Sequence, residues 1–145
     1  MQKYFKLSTF YLVLGLLLGI FYREFTKLSD FNGVTVLSAA HTHTLVIGFL
    51  FFIIVLLLEK NFSISESKNF KAWIVTYNIG VLGLISTLVA RGVLQVNGSE
   101  FAGLSHIAGL CHAILGVALI WFAIIVNKAV KIYDSKQVDK NNAKG

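Results

Sequence analysis

The chain has four histidines, His41, His43, His106 and His112, and they fall in two short windows. Both windows lie inside runs apolar enough to cross a bilayer. An imidazole in hydrocarbon is costly, and such residues as a rule face a bundle interior where they bind or relay something. Two windows on two helices therefore point to a site that holds a metal or a metal-containing cofactor. Imidazole suits iron, copper and zinc alike. The four side chains are thus candidate ligands for haem, most simply haem b, with a bare copper or zinc ion as the alternative. Cys111 adjoins His112, but neighbouring helical positions point about 100° apart, so a packing thiol is expected there. No serine or cysteine stands beside a base, and paired carboxylates and a glycine-rich phosphate loop are absent. No enzyme activity is expected apart from whatever a metal centre confers.

The elements that carry these residues are easily delimited. Of the 145 residues 56% are hydrophobic and only 14% charged, far from the balance of a soluble domain. Four apolar runs, about 4–21, 35–58, 72–91 and 101–126, each approach or exceed the roughly 20 residues a spanning helix needs. Strand-like alternation is missing. The expected fold is all-α, an integral membrane four-helix bundle in up-down-up-down order, occupying residues 1–133 as one domain. Residues 134–145 are polar and lysine-rich and are expected to form a frayed tail. No small-residue cleavage site follows the first run, so it is read as a retained helix. Chain reversals are expected at 23–33, 59–71 and around Asn97-Gly98.

Charge gives the orientation. Ten of the 13 basic residues lie in the N-terminal stub, the loop between the second and third runs, and the tail; only Arg23, Lys27 and Arg91 lie at the opposite end. The positive-inside rule then places both termini in the cytoplasm. The net charge of +6 answers to anionic lipid in a bacterial cell membrane, and nucleic acid is not an expected partner.

Within this frame the histidines can be sorted. His41 and His43 differ by about 200° in azimuth and about 3 Å in height, so one undistorted helix cannot offer both to one ion. His41 shares a face with Ser38, Thr44, Gly48 and Phe52; His43 shares one with Ala39, Ile47, Leu50 and Ile54. Counted from the cytoplasmic helix ends Leu58 and Val126, His43 is 15 residues up and His112 is 14. Those two therefore match in height within about 2 Å, whereas His106 lies about 9 Å further out than His112. His43 with His112 is the best axial pair, His41 with His112 the next, and His106 belongs to a second site or to the cofactor's edge. Arg91, at the outer end of the third helix, has a guanidinium suited to a haem propionate. Small residues mark packing seams: Gly15 and Gly19 on the first helix, Gly80 and Gly83 on the third, and Ser105, Gly109, His112 and Gly116 on the fourth. Both fourth-helix histidines are therefore expected in the interior. Trp73, Trp121, Tyr22 and Tyr77 read as interface anchors and packing.

The stretch Ala40-His41-Thr42-His43-Thr44-Leu45-Val46-Ile47-Gly48-Phe49 resembles the H-x-H helix of haem–copper oxidase and nitric oxide reductase catalytic subunits. The resemblance implies that the two histidines serve two haems from opposite faces, His41 on the high-spin side and His43 on the low-spin haem. Four helices instead of twelve, and no adjacent-histidine copper motif, leave it without a binuclear centre. Over its whole length, including Arg91-Gly92-Val93 and Gly103–Gly116, the chain resembles small bacterial four-helix membrane proteins of unknown function. The expected function is haem binding in the membrane for electron transfer, sensing or an accessory role in respiration. A quinol or extracytoplasmic redox partner is expected because the histidines lie in the outer half. A homo-oligomer is expected because His41 and His43 point apart. A structural accessory protein without a cofactor is the competing reading.

Overall fold

The computed structural model describes residues 1–142, and among them it is all-helical, with four long helices and no strand. The helices are Gln2–Leu28, Leu37–Phe62, Phe70–Val96 and Gly103–Asn142, each long and apolar enough to cross a membrane. They are longer than the apolar runs, because hydropathy marks the stretch that hydrocarbon tolerates while backbone hydrogen bonding continues past it. The first helix passes through Arg23 and Glu24 and stops at Ser29, where Asp30 takes a left-handed φ of 49°. The fourth does not end near Val126 or fray after Tyr133 but continues to Asn142. No glycine or proline interrupts it after Gly116, and extending a helix already held by packing avoids the cost of nucleation.

Successive helices run antiparallel, as their contacts show. From the first to the second helix, Ser8 donates to the Phe49 carbonyl and Gly15 faces Thr44 and Leu45. Between the second and third, Thr35 donates to the Gly92 carbonyl and Tyr77 to that of Ile47. Between the third and fourth, Gly83 faces Cys111 and the Trp73 indole N–H donates to the Ala118 carbonyl, 2.9 Å. The first helix packs on the second. The fourth lies along the third and against the Phe51–Phe62 half of the second, so the first and fourth form the two edges. The aromatic centre consists of Tyr11, Phe51, Phe52, Trp73, Tyr77 and Phe122. Phe51 stacks on Tyr77 at 4.4 Å and Trp73 on Phe122 at 4.6 Å. Trp73 and Tyr77 are fully buried, so they are core residues and not interface anchors.

Only 22–33% of the most apolar stretch of each helix is buried within the protein. Leu16, Leu17 and Ile20, Val75 and Ile79, Val117 and Ile120 stand exposed. A continuous apolar exterior of this kind has hydrocarbon as its natural solvent.

The second helix is not uniformly α. Between an α segment, Leu37–His43, and another, Phe51–Phe62, the chain forms a π-helix over Thr44–Leu50. Widening of the turn shifts hydrogen-bond partners, and the carbonyls of Ile47 and Phe49 are met from outside by the Tyr77 hydroxyl at 2.7 Å and the Ser8 hydroxyl at 3.1 Å. Tyr11 lies on Gly48, where a Cβ would come within 2.6 Å of its ring. Its hydroxyl donates to Asn78 Oδ1 at 2.6 Å, and the Asn78 amide donates in turn to the Ile74 carbonyl.

At its start the second helix is tied to the end of the third. The Thr35 hydroxyl accepts from the Leu37 amide and donates to Gly92, and Gln95 Oε1 accepts from the Val36 amide. This approach is so close that a Cβ on Gly92 would lie 2.6 Å from the Leu37 backbone nitrogen. Gly92→Ala is therefore expected to destabilise the fold by about 1–3 kcal/mol through overpacking. Gly109→Ala meets nothing within 4 Å and should be neutral or stabilising by up to about 1 kcal/mol, since alanine favours helix. Thermal unfolding in detergent followed by circular dichroism checks both.

Candidate functional site

The π segment determines where the two histidines of the second helix point. From Ala40 onward the buried seam runs Ala40, Thr44, Gly48, Phe52, a strict spacing of four that a widened turn keeps on one side. The same spacing produces two flanking rows. His41 heads the row with Leu45, which abuts Gly15 of the first helix. His43 heads the row with Ile47 and Phe51, whose ring contacts Tyr77 of the third helix and Phe122 of the fourth. His41 thus turns toward the first helix and His43 heads the flank that leads to the fourth. Both are half-buried.

His41 occupies the glycine patch of the first helix. Its Nδ1 lies 2.7 Å from the Gly15 carbonyl oxygen, and a Cβ on Gly19 would come within 2.9 Å of that nitrogen. His43 Nδ1 lies 2.8 Å from the Ala39 carbonyl, and His112 Nδ1 lies 2.8 Å from the Ala108 carbonyl, each one turn back on its own helix. A carbonyl oxygen only accepts, so at these distances Nδ1 must carry the proton. Nε2 is then the basic nitrogen in all three rings. Metal-binding histidines are oriented in this way, the far N–H anchored to a backbone carbonyl and the near nitrogen left as a lone pair.

Heights follow from the packing register. Thr35 bonds to Gly92 and Ile47 to Tyr77, so interpolation along the second helix sets His43 opposite Leu82 of the third. On the other side Cys111 lies against Gly83 and Leu115 against Gly80, which sets His112 opposite Leu82 as well. His106 lies further toward the Arg91 end, opposite about Leu88. The two helices meet in their Phe51–Phe62 and Phe122 region and not around the histidines. His43 and His112 therefore stand level on the two helices that flank the third, with no hydrogen bond between them among the described residues.

The fourth-helix seam is not interior. His106, Ser105, Gly109, His112 and Ala113 are exposed, and neither Gly109 nor Gly116 would bring a Cβ within 4 Å of anything. The fourth helix turns Cys111, Leu115, Ala118 and Phe122 to the core, which leaves the small-residue face about a right angle or more away. Cys111 packs on Gly83, as expected of a structural thiol. His106 makes no hydrogen bond among the described residues. Arg91 is exposed and borders a small hollow of about 110 Å³ with Gln95, Ser99, Glu100 and Ser105. No three of the described His, Cys, Asp and Glu side chains converge.

Gly15, Gly19, Ser8 and Tyr77 matter to the site, and the histidine windows alone do not point to them. The run of fours through Ala40, Thr44, Gly48 and Phe52 is the one signal that could have revealed the widened turn. Imidazole nitrogen shifts in solid-state NMR should show His41, His43 and His112 protonated at Nδ1 and bare at Nε2. The opposite tautomer at His43 or His112 would remove the ligand geometry.

Residues 1–129 match the model of a family described as a protein of unknown function (DUF2871), and the chain belongs to that family. Neither the curated proteins nor the solved structures contain a match to it.

Proposed function

Since membership of that family assigns no chemistry, we propose from the histidines that the chain is a multi-pass protein of a bacterial cell membrane that binds haem b. In this reading it lies with both termini in the cytoplasm, His43 and His112 would hold the haem iron through Nε2, and electron transfer is the role. One observation carries the reading: two imidazoles at the same level, on helices flanking a third, each with Nδ1 anchored and Nε2 free. The residues fit the group in two further respects. The face beside His112, with Ser105, Gly109, Ala113 and Gly116, is flat and uncovered, as a macrocycle requires. Arg91 offers its guanidinium to a propionate, and His106 stands at the outer edge. Held by two imidazoles, the haem would supply one-electron chemistry.

The ligand count favours haem over a bare ion. A protein site for zinc normally uses three or four side-chain ligands, and no three of the described candidates converge. Haem brings four nitrogens of its own and needs only two from the chain. His41, sealed against Gly15 and Gly19, is then an interhelical hydrogen-bonding residue that holds the second helix in position. The lysine distribution that supports the orientation puts the histidine level in the outer half of the span, within reach of a quinol or an extracytoplasmic redox partner.

Protein expressed with haem supply should show a Soret band and a reduced-minus-oxidised α band of low-spin type. His43→Ala and His112→Ala should each lower bound haem at least tenfold, whereas His41→Ala should lower stability more than haem content. A folded protein without a Soret band would overturn the reading.

A further inference from the structure

At the end of the molecule that carries the N-terminus and the later turns of the fourth helix, the second helix stops at Ser63 in the left-handed region, φ 50°, ψ 46°. The chain then makes a single 3₁₀ turn, Ile64–Glu66, before the third helix begins. That turn is held firmly. Glu59 accepts from the Ser65 amide at 2.8 Å and from its hydroxyl at 2.5 Å, and Ile64 is completely buried beneath it. Opposite, the fourth helix does not end but continues past the turn. A cavity of about 540 Å³ lies between the two, the size range of a small-molecule site.

The lining of this cavity is divided. Its floor is apolar, formed by Ile125, Ala129 and Ile132. Ile125 and Ala129 are buried while Ile132 is 56% exposed, so the floor runs out onto the apolar exterior of the helix. Phe62 and Tyr133 close one wall edge-to-face, with ring centroids 5.3 Å apart. The rim is cationic, with Lys68 from the turn and Lys128 and Lys136 from the fourth helix against the one acid Glu66. None of these lysines is in an ion pair among the described residues. Asn61, Ser63, Ser67 and Asn69 add neutral hydrogen-bonding groups.

Three cations above an apolar floor that opens sideways suit a ligand with an anionic head and a hydrocarbon tail. We propose that this cavity binds the phosphodiester headgroup of an anionic phospholipid, the lysines on the phosphate and the first methylenes of an acyl chain over Ile125, Ala129 and Ile132. Basic pockets at the cytoplasmic end of spanning helices receive such headgroups. The site rests on the bilayer part of the reading above and not on the histidines, so its failure would leave the haem proposal standing.

Native mass spectrometry of the whole protein in neutral detergent, with phosphatidylglycerol or phosphatidylcholine added, tests this. Phosphatidylglycerol should form a stoichiometric adduct at least tenfold more readily than phosphatidylcholine. The triple variant Lys68→Gln, Lys128→Gln, Lys136→Gln should lose that preference. The charge-matched variant Lys3→Gln, Lys6→Gln, Lys131→Gln, whose lysines lie at the same end but outside the cavity, should keep it. Equal losses in both variants would mean diffuse charge attraction and overturn the site. Equal binding of the two lipids would do the same. Displacement of the lipid by millimolar inorganic phosphate would assign the cavity to a free anion and overturn the lipid.

Discussion

The constraint on which the rest depends is the satisfaction of backbone carbonyls in an apolar surrounding. A free carbonyl in hydrocarbon costs several kcal/mol, and the π-helix at Thr44–Leu50 shifts partners away from the regular α pattern. Two hydroxyls from neighbouring helices, Ser8 and Tyr77, come in to the Phe49 and Ile47 carbonyls. Those bonds require the first and third helices to lie close on either side. Gly48 of the second helix and Gly15 of the first let those two helices come close, and Tyr77 is held in turn by its stack on Phe51. The packing of three helices thus follows from one local widening. π segments occur disproportionately at functional sites, and this one begins at the residue after His43.

The consequence for the histidines is geometric. Had the second helix been α throughout, the row below His43 would have wound away from the aromatic centre. With turns of just over four residues the rows below His41 and His43 run almost straight down the helix. One row ends against the first helix and the other at Phe51, where the third and fourth helices meet. The side-chain bonds to the Ala39 and Ala40 carbonyls, from His43 and Thr44, lie immediately above the widened segment. The imidazole there is part of the same carbonyl accounting, and the need to satisfy backbone leaves Nε2 free on the far side.

Much of this was legible in the sequence, and what was not has physical causes. The four apolar runs gave the four helices because hydropathy over about 20 residues is a strong signal. Helix ends were misjudged by as many as 16 residues, at Asn142, because polar residues extend a helix as readily as they end it. The glycines of the first and third helices were read correctly as close-approach points: Gly15 and Gly19 receive Leu45 and His41, and Gly80 and Gly83 receive Leu115 and Cys111. The fourth-helix seam was not, because small residues permit an approach without requiring one. The matched heights of His43 and His112 were anticipated by counting from helix ends and follow independently from the interhelical register. Tyr77 and Trp73 were read as interface anchors and packing, and their full burial decides for packing, a choice sequence leaves open because an aromatic residue within a span reads the same in either role.

The two ends of the fourth helix make one last physical point. Near its start it exposes His106, His112 and two glycines with nothing over them, and near its end it exposes lysines above an apolar floor. Between these ends the same helix is pinned to the third by Trp73, whose indole N–H bonds to Ala118 and whose ring stacks on Phe122. A helix fixed at its middle and uncovered toward both ends presents polar groups at two separate depths, and each must find something to satisfy it. Exposed imidazoles at the depth of the hydrocarbon cannot be left to lipid tails without cost, whereas lysines at the boundary reach headgroups directly. The lower end is thus the one for which an anionic lipid headgroup is proposed. The upper end, where His106 and His112 are exposed beside small residues, is where the proposed haem would sit.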